Sequence, residues 1–438
     1  MTRHTLFSLS TLLLITLACK PKATEEETLH ALATAYVETG LTIGHYDSDF
    51  VDAYYGPDSL KPVDLPEFAS FPKDFLLAKT DSLKKEFEKF MNRKNLILEH
   101  QLRARYILAQ LKAAEERIRI VSGETTDFDS ESLALFGVKA PTYDISHFQA
   151  VIDQLENILP GEGSLQEKYQ DLTARFVIPE NKLDTVFKTA IAKARNETKA
   201  HYPIPENENF TLEYESDKPW SGYNWYKGNY TSLIQINIDY PINISRVLDV
   251  GSHESYPGHH VYNMLLEENL YNKKGYIETS LYPLFSPQSF IAEGSANYGI
   301  ELAFLGQKKA QFAKEVLLPL AELDTTGIDT YFKALALVSE LNYAGNEVAR
   351  GLFSGEMSEN EGIEYLIKYG FYSPEKAKQR IAFTKKYRSY VINYNYGKDL
   401  IANYIESNGG TAEQAEKRWE VFGQLLSNQI LPVDLLKE

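Results

Sequence analysis

The eight residues from His253 to His260, HESYPGHH, hold three of the nine histidines in the chain. Histidine is costly to bury and a mediocre helix former, so packing alone does not account for the cluster. Neutral imidazoles are good nitrogen ligands for a zinc ion, and a carboxylate beside the first ligand, here Glu254, can serve as general base toward a coordinated water. A zincin helix carries its two histidines at i and i+4, on one face. Pro257 and Gly258 interrupt that spacing, because Pro257 has no N–H for the His253 carbonyl and pushes Tyr256 out of the α region. The helix must break or bulge there. If the Pro-Gly pair is looped out, the remaining residues read His-Glu-Ser-Tyr-His and His259 becomes the second ligand. His260 fits worse: in an unbroken helix it lies roughly two turns from His253, too far for one ion with bonds near ~2.0 Å, which leaves it to orient ligands or face substrate.

A catalytic zinc site needs a third protein ligand. Glu293, in the stretch FIAEGSANY, is the candidate, since Ala292, Gly294, Ser295 and Ala296 keep its flanks small and let its helix approach the His253 helix. Downstream, YRSYVINYNYG (residues 387–397) puts four tyrosines and an arginine in eleven residues. Hydrolysis by an activated water builds negative charge on the carbonyl oxygen, which a phenol or guanidinium aimed at it stabilises. Tyr390, Tyr394, Tyr396 and Arg388 are candidates for that task; Arg388 could equally clamp a substrate carboxylate.

HESYPGHH and AEGSANYGIE together resemble the HExxPGHH and EGWALYxE signatures of the bacterial domain-of-unknown-function family 885, a relative of the gluzincin peptidases. The likeness runs from about Ile234 to Gly397; the amino-terminal half matches only in helical character and length. It implies one Zn²⁺ held by His253, His259 and Glu293, with Glu254 as general base. The family's tyrosine three residues before a glycine maps onto Tyr394 and Gly397, which makes Tyr394 the first oxyanion candidate, ahead of Tyr396, Tyr390 and Arg388. Ser295 stands where the family usually has tryptophan, and Tyr262 where glutamine is common. The implied fold is mainly α, a large helical zincin-like (gluzincin) fold with a small β-sheet beside the metal-binding helix. The implied activity is a zinc metallopeptidase acting on peptides. A metal-containing peptide- or solute-binding lipoprotein without turnover, and a hydrolase of another amide or ester, are the alternatives.

The elements that position these residues divide at about Pro205. Before it, apolar residues recur three and four apart from Asp81 to Arg93 and from Leu96 to Ile120, and further helical patterns run over His147–Leu159, Ser164–Phe176 and Asn181–Ala200. After it, Phe210–Tyr214 alternates as a strand and Pro219–Gly228 reads as an aromatic turn. Ile234, Ile236 and Ile238 then alternate with polar residues, so that Thr231–Asp239 is expected to be a strand beside the site. In gluzincins such an edge strand holds an extended substrate; a two- or three-stranded structural sheet is the equal alternative. Tyr331–Arg350 and Thr411–Leu426 are expected helices.

At the amino terminus Arg3 and His4 precede an apolar run, Leu6–Ala18, too short to remain as a spanning helix. Its end, Thr16-Leu17-Ala18-Cys19, resembles a bacterial lipobox, with Thr16 in place of the preferred leucine, and Cys19 is the only cysteine. The expected organisation is a lipoprotein signal peptide (1–18), a polar tether (19–28), a helical scaffold (29–204) and a metal-binding catalytic region (205–438) integrated with it. Lipidated Cys19 would then anchor the enzyme to a membrane, facing the periplasm or cell exterior. A net charge of −16 with no dense basic run argues against nucleic acid as a partner. With 438 residues and 43% hydrophobic content the chain can bury a large core without disulfides.

Overall fold

A computed structural model of the chain describes residues 23–218 and 220–436; the lipobox-like segment and Cys19 lie outside them. The fold is mainly α with two small β-sheets. The first helix, α1 (Glu25–Tyr46), opens on a capping box in which the Thr24 hydroxyl accepts the Glu27 N–H and Glu27 reaches back to the Thr24 N–H. Residues 25–28, expected to be tether, are therefore its first turn: three successive glutamates suit a helix N-terminus as well as a solvated linker. The helices α2 (Lys73–Met91), α3 (Leu98–Val121), α4 (Phe128–Phe136), α5 (Ile145–Ile158), α6 (Leu165–Ala174) and α7 (Leu183–His201) follow, each close to a periodic segment of the sequence where one was legible.

The three-stranded sheet has the order β2-β4-β3, with β2 (Asn209–Glu215) parallel and β3 (Gly222–Gly228) antiparallel to β4 (Thr231–Asn237). Two expectations change here. The aromatic stretch is strand from Gly222 onward, with Asn224 and Tyr226 turned inward. The strand expected at the edge, β4, is the central one; its amides are used on both sides, and β3 is the edge strand that lies against the site. Alternation alone is the same for an edge and a central strand. A second sheet pairs β1 (Val51–Tyr54) antiparallel with β5 (Leu281–Pro283), so the two parts of the chain share a sheet.

Three helices carry the site. Asn243 caps α8 (Ile244–Glu254), accepting the Arg246 N–H, and α9 (His259–Leu266) follows after four residues. Ser286 caps α10 (Pro287–Ala303), with Pro287 in its first turn. Nearly every residue of α10 is buried, as befits a helix surrounded by others. The largest core cluster includes Ala113 and Phe187 as well as Val247, Phe290 and Leu435, and so crosses residue 205 without a border. The helix expected over Tyr331–Arg350 is two, Ile328–Glu340 and Ala344–Ser354; between them the Asn342 carbonyl accepts from the Asn395 side chain. The last expected helix begins at Ala415.

Candidate metal centre

The helix breaks at Pro257 and Gly258. Ser255 closes α8 by donating to the Gly251 carbonyl through both its N–H (3.2 Å) and its hydroxyl. The chain then doubles back so tightly that a Cβ on Gly258 would stand 1.9 Å from the His253 carbonyl oxygen. His253 thus occupies the last turn of one helix and His259 the first position of the next. Glu293 arrives from α10. Its neighbour Gly294 faces Gly397, where a Cβ would come within 2.5 Å of the backbone, so the small residue permits close approach to the first turn of the Tyr396–Ser407 helix, while α10 also packs against α8 as the sequence led one to expect.

His253, His259 and Glu293 converge. The two Nε2 atoms are 3.1 Å apart, His253 Nε2 is 3.3 Å from Glu293 Oε2, and His259 Nε2 is 3.6 Å from Glu293 Oε1. Ligands on a tetrahedral ion with bonds of about 2.0–2.1 Å stand roughly 3.3 Å from one another, so the trio has the dimensions of a metal site. All three side chains are largely buried, and Glu293 Oε2 has no hydrogen-bond partner. Burial alone would raise the Glu293 pKa, but the imidazoles of His259 and His253 outweigh it and hold the carboxyl well below its ordinary range, in the ionised form that binds cations. Asn297, one turn further along α10, contacts His253 Nδ1 through its Oδ1 (3.1 Å) and donates to the Tyr394 carbonyl (3.1 Å). That contact places a proton on Nδ1 and leaves the Nε2 lone pair for the centre. Tyr390 donates to Glu293 Oε1 (2.8 Å).

Glu254 is buried beside the trio. Burial pushes its carboxyl up to about 7, against the pull of His253 and with reinforcement from Glu293. Gly222 on β3 makes room for it: a Cβ there would meet Glu254 Oε1 at 2.9 Å.

His260 is fully buried and belongs to a different network. Its Nε2 contacts Glu208 Oε1 (2.9 Å) and its Nδ1 contacts the Ser232 hydroxyl on β4 (2.8 Å). Asn224 on β3 accepts from Ser232 and donates to the Glu254 carbonyl (2.7 Å), so the sheet grips both sides of the helix break. Glu208 also accepts from Arg195 and Tyr256. Its burial would raise its pKa, yet His260, Arg195 and Tyr256 bring it down to about 2.

The tyrosine-rich segment divides. Tyr390 and Tyr394 flank the centre: burial, then the fields of Glu293 and Glu254, keep the Tyr394 phenol protonated. Arg388 is engaged elsewhere, donating to Glu131 and lying over the Phe353 ring, which corrects its reading as an oxyanion or carboxylate group. Tyr396 is likewise displaced from the oxyanion role: its ring meets Phe290 edge-on and its charged neighbour is Asp399. Periodicity of the segment is broken by the 3₁₀ turn Arg388–Asn393, which sends neighbouring tyrosines to different surroundings. One acidic residue at the site came from the half read as scaffold. Asp52 on β1 accepts from Tyr223 of β3; burial raises its carboxyl to about 6, with Tyr223 and His259 opposing and Glu293 adding. Asp52, Glu208, Ser232 and Asn297 carry no sequence signal that would have singled them out.

No family model matches the chain, and no curated protein matches it. Among solved structures it is similar to a candidate lipoprotein from Colwellia psychrerythraea, at 13% identity and a TM-score of 0.51, over 83% of this chain and 68% of that one. It is also similar to a candidate lipoprotein of unknown function from Shewanella oneidensis, at 11% identity and a TM-score of 0.41, over 81% and 73% of the two chains. At 13% identity the likeness to the Colwellia protein is one of fold.

Proposed function

We propose that the chain is a lipid-anchored zinc hydrolase of gluzincin type that cleaves peptides. The observation that carries the reading is the convergence of His253, His259 and Glu293 with Glu254 buried next to them, one carboxylate ionised as a ligand and the other poised near neutrality. His253, His259 and Glu293 would hold the ion, which when bound supplies a Lewis acid and a more acidic water. Glu254 takes the proton of the attacking water on its carboxylate and delivers it to the leaving nitrogen. The Tyr394 hydroxyl, kept protonated, donates toward the carbonyl oxygen as charge grows there. Asn297 and Tyr390 hold His253 and Glu293 in place. The HExxPGHH and second-motif resemblance to family 885 supports the same assignment, and the lipobox-like Thr16–Cys19, together with the description of the Colwellia protein, supports an anchor at Cys19.

Metal analysis by mass spectrometry of protein purified without chelators should find about one zinc per chain, and a peptide-library screen should find cleavage that a chelator abolishes. Absence of a bound transition metal, or cleavage indifferent to chelation, overturns the reading. Cys19→Ala should move the protein from the membrane fraction to the soluble one.

A further inference from the structure

Among the described residues, five of the eleven exposed large hydrophobic side chains gather at one end of α3. Ile97, Leu98 and Leu102 are 52%, 67% and 47% exposed, and Val433 and Leu436 are 44% and 45% exposed. Leu98, Leu102 and Arg105 form one stripe at i, i+4 and i+7, and Arg105 holds Asp434, which Val433 precedes by one residue and Leu436 follows by two. Exposed apolar side chains are ordinary when scattered, but a contiguous set marks a contact surface.

The chain itself indicates what covers this face. His100, which points to the opposite side of α3 from the Leu98–Leu102 stripe, lies 3.5 Å from the Glu25 carboxylate, so the first turn of α1 starts at the same end of α3 as the patch. Five residues separate Glu25 from Cys19, six steps along the chain. Even fully extended, that length reaches only about 20 Å, comparable with twice the width of a helix. An acyl group on Cys19 therefore holds the bilayer within that reach of the first turn of α1, at the end of the molecule that carries the patch. Of the nearby acidic groups, Glu99 accepts from Lys274 and Tyr276, Asp434 from Arg105, and Glu25 sits against His100, while Glu26 stands exposed in the first turn of α1. Arg93 and Lys94 stand exposed in the turn just before Ile97, placed to meet lipid phosphates.

We propose that the face formed by Ile97, Leu98, Leu102, Val433 and Leu436 rests on the surface of a phospholipid bilayer, a second membrane contact besides the acyl chain. The inference rests on the anchor at Cys19. It fits the physics of lipid anchors, in which a single weak attachment gains persistence from a second one. It also fixes the orientation of the whole enzyme on the membrane.

Cys19 is the only cysteine, and acylation would consume its thiol, so Leu98→Cys introduces a unique site for an environment-sensitive fluorophore. Leu133, 50% exposed on α4, the helix that follows the opposite end of α3 in the chain, provides the control Leu133→Cys. The lipidated full-length variants are labelled and reconstituted on phosphatidylethanolamine/phosphatidylglycerol vesicles carrying a lipid-borne quencher. Position 98 should shift to the blue and be quenched at least about twofold more than position 133. Equal quenching at both, with the acyl mass on Cys19 confirmed and the protein floating with vesicles, overturns the face while leaving the anchor intact. Shielding of position 98 without lipid quenching, in a protein that sediments as a dimer, overturns it in favour of a second copy. Absence of the acyl mass and of flotation removes the anchor and the proposal with it.

Discussion

Glu254 and Glu293 are both buried glutamates, and their surroundings drive them apart: two imidazoles outweigh burial and hold Glu293 ionised, whereas at Glu254 burial outweighs the pull of His253 and lifts the carboxyl to about 7. Two carboxyl groups with separated proton affinities can serve as ligand and base without exchanging roles. Glu254→Gln should accordingly retain metal, measured by mass spectrometry, and lose turnover by roughly 100-fold or more; loss of metal would make Glu254 a ligand. The two adjacent histidines separate in the same way. His259→Ala should abolish metal binding, because it removes a ligand. His260→Ala should leave a metal-binding protein of lower stability, by roughly 1–3 kcal/mol, because it removes one of the three partners of buried Glu208 and leaves Arg195 and Tyr256 to hold it; chemical denaturation and metal titration of the pair distinguish these outcomes. The histidine cluster, its glutamate and Glu293 were all legible in the sequence, since their types are rare and their spacing local. Asp52 was not: nothing adjacent in sequence distinguishes it from other acidic residues.

The helices converge because particular residues lack side chains. Gly294→Ala would drive a Cβ to 2.5 Å from Gly397 backbone carbon, and neither helix can yield cheaply. It should cost roughly 1–3 kcal/mol and weaken metal binding by tilting Glu293. Gly251→Ala, on α8 yet 3.5 Å from its nearest contact at Ile191, should be tolerated in the same denaturation assay and thus separates crowding from generic loss of glycine. The sheet holds the break from the other side through Glu208, His260 and Ser232. With its carboxyl at about 2 when folded and near 4.5 when free, Glu208 contributes stability that is complete above the free value and is lost as pH falls through the folded one. Glu208→Gln should lower stability at neutral pH and flatten its decline between pH 4.5 and 2, as read from denaturant midpoints across that range; a parallel decline would mean that the carboxylate is not the linked group. Helix positions were largely readable from periodicity and caps, but the split near Asn342 was not; there the Asn342 carbonyl accepts from Asn395, a partner from another part of the chain that no local pattern reveals.

Across the whole molecule, the two parts of the chain are stitched by buried ion pairs as well as by the β1–β5 sheet. Arg103 on α3 grips Glu278 with two hydrogen bonds of 2.7 Å, and Gln429 adds a third at 2.9 Å, with the pair almost wholly buried. Glu278→Gln strands Arg103 and should cost roughly 3–5 kcal/mol. Calorimetry should show one transition at a lower temperature; two separate transitions would mean that the amino-terminal helices melt on their own. The sequence by itself determined the helical character, the residues that converge (His253, His259 and Glu293) and the corner at Pro257 and Gly258, because each depends on residues within a few turns of one another or on side-chain chemistry that few residues possess. Only the tertiary structure decided that β4 is central, that Arg388 serves Glu131, that His260 turns toward the sheet and that Asp52 reaches the site from the other part of the chain. Those outcomes depend on which surfaces meet, and a side chain's pairing and proton affinity are properties of its neighbours in space.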